Sequence, residues 1–280
     1  MQLKLMYITN RPDVAAIAQK HGIDRIFIDL ETHGKAERQA NRGTVQSKHR
    51  IEDILEVKSV LSSSQLLVRV NPVNRRSEFE IDAVIKAGVD VVMLPMWKSV
   101  DEVQSFLDYV SKRSVICLLL ETREAVDCLE KVLALSGIDE IHIGLNDLHI
   151  SYGLNFLFEL LANGTVERIC KTIRGYGIPY GFGGIARIGE GIVPAQRIIM
   201  EHYRLGSTMA ILSRSFCNID HFDKLSEIER NIYEGMVAIR AFERTLGSCS
   251  KADYEANRYA VVNAVSGITQ QILDSDEDSA

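Results

Sequence analysis

The sequence predicts a closed (β/α)₈ barrel with a C-terminal helical extension, and two observations carry that prediction. Eight short runs rich in Val, Ile and Leu, mostly bounded by turn residues, recur along the chain. Helical patterns separate most of them, and the later runs begin about every 25 residues. Near-continuous apolar strands alternating with helices mean parallel strands covered on both faces. Eight such units over about 210 residues suit a closed barrel, with an open doubly wound sheet as the alternative.

The strand-like runs, in order, are LKLMYIT (3–9), RIFIDLE (25–31), QLLVRVN (65–71), DVVMLPM (90–96), SVICLLLE (114–121), EIHIGLND (140–147), IPYGFGG (178–184) and GSTMAILS (206–213). Between the fifth and sixth, Ala125, Leu129, Val132 and Leu133 keep helical spacing, with Gly137 as a stop signal. The segment after the second run (32–50) breaks the period: it is long, polar and basic, as functional loops and lids are. Beyond the eighth run, Ile228, Ile232, Met236, Ile239, Phe242 and Leu246 make one apolar helical face. Tyr254, Val261, Val265, Ile268 and Ile272 make a second. One helix can close the barrel; the second predicts a homo-oligomer, with capping of the barrel as the alternative. The expected organisation is a barrel domain over 1–225, C-terminal helices over 226–273 packing on the barrel or a partner subunit, and a disordered acidic tail over 274–280.

A composition of 46% hydrophobic and 25% charged residues is that of an ordinary globular protein, and a net charge of −6 argues against a nucleic-acid partner. No apolar run is long enough to span a membrane and no signal-peptide core opens the chain, so the expected location is the cytoplasm. Five cysteines without a C-x-x-C suit reduced, mostly buried thiols.

In a barrel the reactive face lies at the C-terminal ends of the strands. On that rim the sequence places Asp29 and Glu31 after the second strand, Arg69 after the third, Glu121 after the fifth, and Asn146 and Asp147 after the sixth. A buried carboxylate needs a cation or hydrogen-bond donors, so something must meet Asp147. A lone strand-end carboxylate is most often a structural ion pair or a helix cap; the set is harder to explain that way. Glu121 and Asp147 on adjacent strands, oxygen donors with no His or Cys at ligand spacing, suit Mg²⁺ or Mn²⁺. A cation held by two carboxylates is an open Lewis acid able to chelate a 2-keto acid, and Arg69 is the fixed positive partner of the developing oxyanion. Chemistry through such an enolate makes or breaks carbon–carbon bonds.

FIDLE (27–31), LLVRVNP (66–72), AGVDVVMLPM (87–96), LLLET (118–122), IGLNDL (143–148) and GFGGIAR (181–187) stand in the right order to resemble the HpcH/HpaI aldolase and citrate lyase β-subunit family over about 10–215. The resemblance implies a (β/α)₈ barrel with Glu121 and Asp147 as divalent-metal ligands and Arg69 as the enolate-stabilising group. It also implies that backbone amides near Asn146 and Asp147 receive the substrate carboxylate; Glu31 and Gly144 complete the expected substrate-binding set. The activity expected is that of a metal-dependent lyase acting on a pyruvate-like 2-keto acid. An acyl-CoA lyase of the citryl-CoA or malyl-CoA type, or a binding protein that keeps the metal site without turnover, are the alternatives.

One departure bears on the acid/base. The family's aldolases carry Glu followed directly by His after the second strand, whereas Glu31 is followed by Thr32 and then His33. A one-residue slip in extended chain turns the side chain to the opposite face. His33 and His49 are therefore both candidates, as is a metal-bound water. The citrate lyase branch's acidic residue in the slot of Thr32 is absent too.

Other signals point elsewhere. GFGGIA (181–186) satisfies G-x-G-x-x-A, but Gly189, Gly191 and Pro194 leave no room for the helix a dinucleotide site needs. Lys35, Arg38, Arg42, Lys48 and Arg50 suit a polyanionic substrate or a solvated loop. His142 reads as a core histidine, His21, His202 and His221 as structural or solvated, and Met96 and Trp97 as wall or cover of the rim.

Overall fold

Each predicted run coincides with a strand, β7 ending one residue past its run, in the computed structural model, which describes residues 2–34 and 49–277, with side chains through 274. The strands are β1 (Lys4–Ile8), β2 (Arg25–Asp29), β3 (Gln65–Arg69), β4 (Val91–Leu94), β5 (Val115–Leu120), β6 (Glu140–Ile143), β7 (Tyr180–Ile185) and β8 (Met209–Leu212). They form one closed barrel in chain order, every pair parallel, with β8 returning to β1.

Alternation along each strand explains why the runs are apolar throughout. Met6, Phe27, Leu67, Val91, Met93, Cys117, Leu119 and Met209 fill the barrel interior. Their neighbours Leu5, Ile26, Ile28, Leu66, Val68, Val92, Ile141 and Ile143 face the helices in the larger core. Beneath the interior layer lies an ionic floor. Arg25, 1% exposed, donates to both oxygens of Glu140. Lys4 adds a third bond to Glu140 at 3.0 Å, and Gln65 accepts from Arg25 at 2.9 Å. Burial would raise the Glu140 pKa, but Arg25 and Lys4 hold it below the ordinary value.

The surrounding helices are α1 (Pro12–Lys20), α2 (Ile51–Val60), α3 (Ser77–Lys86), α4 (Val100–Val110), α5 (Arg123–Asp127), α6 (Leu129–Leu133), α7 (Leu145–Ser151), α8 (Glu159–Ala162), α9 (Thr165–Gly175) and α10 (Ala195–Leu205). The single helix expected after β5 is two, meeting at Cys128, and the bend keeps Ala125, Leu129, Val132 and Leu133 all buried.

Two long helices follow: α11 (Leu225–Leu246) and α12 (Lys251–Glu277). The first packs between α10 and α1 and closes the ring. It buries Ile228, Ile232, Met236, Ile239 and Leu246, while its Glu243 accepts the N–H of Leu3 at 2.8 Å. The second lies across α10 and α8 and buries Val261 and Val265. Its Asn257 donates to the Arg197 carbonyl and to Glu201, each at 3.0 Å. Both apolar faces thus pack on the barrel, with Phe242, Tyr254, Ile268 and Ile272 half-buried. The last helix also runs through Glu277, into the segment expected to be a disordered tail. Each residue added to an existing helix gains a hydrogen bond without a new nucleation cost. No helix among the described residues is long and apolar enough to cross a membrane.

Three further expectations are settled by packing. GFGGIA lies inside and just after β7 rather than opening a helix, and a Cβ on Gly181 would collide with the Met209 carbonyl oxygen. Gly181 therefore serves strand packing. His142 points into the barrel, its Nε2 3.1 Å from the Gly183 carbonyl, with no hydrogen-bond partner on Nδ1 among the described residues. His202 is buried outside β7, stacked on Phe182 at 3.8 Å.

Burial holds His142 down to about 4, and His202 down to about 3 with His142 adding to the effect. Their unfolded-state pKa is about 6.5. Both rings stay neutral when folded but take up protons when unfolded, so their contribution is full above about pH 6.5 and is lost as pH falls toward 4. Urea midpoints from pH 7 to 4.5 are expected to fall, and less steeply in His142→Gln. Deleting 250–280 uncovers α10 and α8; the two buried valines alone contribute roughly 3–4 kcal/mol, so the thermal midpoint is expected to drop by about 10 °C in calorimetry.

Candidate active site

Asp29 and Arg69 are ladder partners at the ends of β2 and β3, so their side chains meet at the barrel mouth. Phe27 and Leu67, two residues earlier on the same faces, fill the interior below. Arg69 donates from Nε and Nη2 to the two oxygens of Asp29, each at 2.9 Å. The same Nη2 lies 3.3 Å from Glu31 Oε2, and the guanidinium sits 5.7 Å from the centre of the Phe27 ring. Burial alone would lower the Arg69 pKa, but Asp29, Glu31 and Glu121 raise it above its ordinary value. The cation is permanent and clamped.

Glu121 follows β5 and is 2% exposed. Burial pushes its carboxyl well above the usual range; Arg69 pulls it down, and Asp147 and Glu31 push it up again. Its Oε1 accepts the N–H of Met96 at 3.0 Å. Asp147 is buried in the first turn of α7, whose N-cap is Gly144. The first bond of that helix runs from Leu148 N–H to the Gly144 carbonyl at 3.0 Å. The amides of Leu145, Asn146 and Asp147 therefore lie ahead of the ladder. The Asn146 side chain is exposed.

The structure thus brings Glu31, Arg69, Glu121 and Asp147 to one corner, as expected, and adds Asp29 to it. The two histidine candidates part company. His33 is exposed and lines a cleft of about 320 Å³ in the helix layer with Ile51, Phe79 and Glu80. Asn71 anchors that turn, its side-chain oxygen accepting the N–H groups of Thr32 (2.9 Å) and His33 (3.1 Å). His49 instead borders a rim cavity of about 250 Å³ with Thr9, Asn10, Ser213 and Asn218, between the ends of β1 and β8. Its Nδ1 accepts the N–H of Asp29 at 3.0 Å. A proton on Nδ1 would face that N–H, so the neutral ring carries its proton on Nε2 and acts there as a donor.

Of the basic loop residues, Lys35, Arg38, Arg42 and Lys48 lie outside the described residues; Arg50 is exposed and donates its N–H to Asp53 at 2.9 Å, opening α2. Trp97 is buried, and Met96 contributes its amide rather than its side chain. Sequence reasoning placed Asp29 on the rim without giving it a role; the signal was its register with Arg69. The Met96 amide left no signal in the sequence.

The donors at this corner are oxygens. Among the described residues no group of three or more His, Cys, Asp and Glu forms a cage for a metal. A buried carboxylate driven toward protonation by burial and by two neighbouring carboxylates is nonetheless the environment a hard divalent cation relieves. Two protein ligands with water and substrate completing the shell is a common arrangement for Mg²⁺. The residues fit the group.

A closed parallel barrel with a permanent cation and an acidic corner at its C-terminal mouth defines a (β/α)₈ enzyme scaffold. A model of the HpcH/HpaI aldolase/citrate lyase family matches residues 2–160, from β1 to the start of α8, which include Arg69, Glu121 and Asp147. The chain belongs to the HpcH/HpaI aldolase/citrate lyase family. The match ends short of GFGGIAR, so β7 and β8 are supported by the fold rather than by the family pattern. Similar solved structures include an HpcH/HpaI aldolase from Desulfitobacterium hafniense DCB-2, 15% identical over 89% of this chain and 95% of that one (TM-score 0.60). A family protein from Burkholderia cenocepacia J2315 is 16% identical over 81% and 95% (TM-score 0.60). Macrophomate synthase is 15% identical over 76% and 77% (TM-score 0.55).

The His49 tautomer is directly measurable. Nitrogen-15 NMR of the ring at pH 7–9 is expected to show the proton on Nε2 and an acceptor at Nδ1; the reverse pattern would remove the bond to Asp29.

Proposed function

We propose that the chain is a divalent-metal-dependent carbon–carbon lyase acting through the enolate of a pyruvate-like 2-keto acid. The observation that carries the reading is the clamped Arg69 beside the Glu121 and Asp147 corner, with the unladdered amides of α7 adjoining it. Glu121 and Asp147 would hold Mg²⁺ or Mn²⁺, which when bound supplies Lewis-acid polarisation of the substrate carbonyl.

Every other role belongs to the chain. The amides of Leu145, Asn146 and Asp147 receive the substrate carboxylate and orient it. In cleavage, the acceptor's hydroxyl gives its proton to water and becomes a carbonyl, the electron pair of the breaking carbon–carbon bond moves into the enolate, and the Arg69 guanidinium donates hydrogen bonds to the enolate oxygen that becomes negative. Asp29 and Glu31 keep that guanidinium in place, so no reorganisation is needed as charge develops. His49 is tied to the clamp through the Asp29 N–H. Its Nε2–H suits hydrogen bonding to an oxygen of the acceptor over uptake of a proton.

A second reading, a binding protein that keeps the acidic corner without turnover, is favoured by one observation: Thr32 stands in the family's histidine slot, and His33 faces the outer cleft.

Deprotonation next to the carbonyl is the first half-reaction in synthesis and needs no acceptor. Pyruvate methyl protons are therefore expected to exchange in heavy water by proton NMR, only with Mg²⁺ or Mn²⁺ present. Arg69→Ala is expected to slow the exchange by about 10² or more, the usual loss on removing an oxyanion donor. If pyruvate, other small 2-keto acids and acetyl-CoA all fail to exchange, the binding reading replaces the lyase; exchange of acetyl-CoA alone selects the acyl-CoA lyase.

A further inference from the structure

We infer that Met96 and Gly144 are positioning residues that together present a single oxygen of Glu121, Oε2, to a divalent cation. The inference rests on the metal-site reading above and concerns what holds the ligand rather than which residue is the ligand.

Met96 has φ +54, a left-handed conformation that a residue with a Cβ adopts only when its surroundings enforce it. Two bonds enforce it here, both to the end of β5. The Met96 N–H donates to Glu121 Oε1 at 3.0 Å, and the Trp97 carbonyl accepts from Thr122 Oγ1 at 2.8 Å. Thr122 is itself fixed, since its Oγ1 also accepts the Ala125 N–H at 3.1 Å to cap α5. The turn after β4 is therefore stapled to Glu121–Thr122, and Oε1 is committed to a backbone donor.

Gly144 restrains the carboxylate from the other side. Its N–H bonds the Leu120 carbonyl at 2.9 Å, which brings it alongside Glu121. A Cβ built on Gly144 would stand 2.8 Å from Glu121 Oε2 and 2.9 Å from Glu121 Cβ. The backbone of Gly144, φ −82 and ψ 87, does not itself call for glycine. The missing side chain is needed as space for Glu121. With Oε1 engaged by the Met96 amide and Oε2 lodged over Gly144, three residues before Asp147, Oε2 is the oxygen with more lone-pair capacity to offer.

Partners that orient a metal ligand typically matter by 10- to 100-fold in affinity. Mn²⁺ titrated calorimetrically into the full-length chain is expected to bind at least about 10-fold more weakly in Gly144→Ala and in Met96→Ile, whose β-branch disfavours positive φ. Met96→Gly keeps the amide and admits the conformation, and is expected to bind within about threefold of wild type. Circular dichroism and thermal unfolding check that each variant is folded.

A second readout needs no metal. Gly144→Ala is expected to lower the thermal midpoint of the wild type but to cost much less in a Glu121→Ala background, where the clash is gone. Equal costs in both backgrounds, or wild-type Mn²⁺ affinity in Gly144→Ala and Met96→Ile, overturn the positioning inference and leave the metal reading standing. Equal Mn²⁺ affinity of wild type and Glu121→Ala, or no binding by either, overturns both.

Discussion

A guanidinium can be held largely out of water at the mouth of a barrel only if anions are fixed around it, and Arg69, half-buried, meets that condition through the paired bonds to Asp29 and the nearby Glu31. Removing one partner of a buried pair costs roughly 3–5 kcal/mol, because the other charge is left uncompensated. Asp29 is therefore as much part of the site as Arg69. Its backbone N–H also binds His49, so the residue that clamps the cation sets the tautomer of the ring on the rim.

The rest of the barrel supports that corner by layers. The ionic floor of Arg25, Glu140, Lys4 and Gln65 closes one end of the interior and the apolar layer around Phe27 and Leu119 fills its middle. Excluding water beneath the mouth strengthens every charge interaction above it, which is why burial is the largest effect on Glu121. The closing helix α11 ties the far end of the chain to the start of β1 through Glu243 and Leu3, so the ring of strands is sealed where its termini meet.

Much of this was legible in the sequence. Seven of the eight strands fall within the apolar runs and β7 overruns its own by one residue, Ile185, because burial on both faces demands such residues. Arg69, Glu121 and Asp147 could be picked out because polar residues at the ends of apolar strands are conspicuous and the barrel places those ends together. The histidines were not separable in sequence, because both flank a loop and loop residues follow no period. What divides them is contact with residues distant in the chain: Asn71 and Phe79 for His33, Asp29 for His49. The second amphipathic helix was equally ambiguous, since an apolar face shows that a surface is covered and not by what.

By itself the sequence determined the strand count, the parallel alternation and the set of charged residues on one rim. These depend on local pattern, the two-residue period of a strand and the direction in which it ends. Only the tertiary structure decided that Asp29 clamps Arg69, that Met96 turns left-handed to reach Glu121, and that Gly144 is glycine to leave room for a neighbouring carboxylate. It also decided that the last helix folds back on the barrel. Each depends on the ångström-scale approach of residues separated along the chain, which no periodicity encodes.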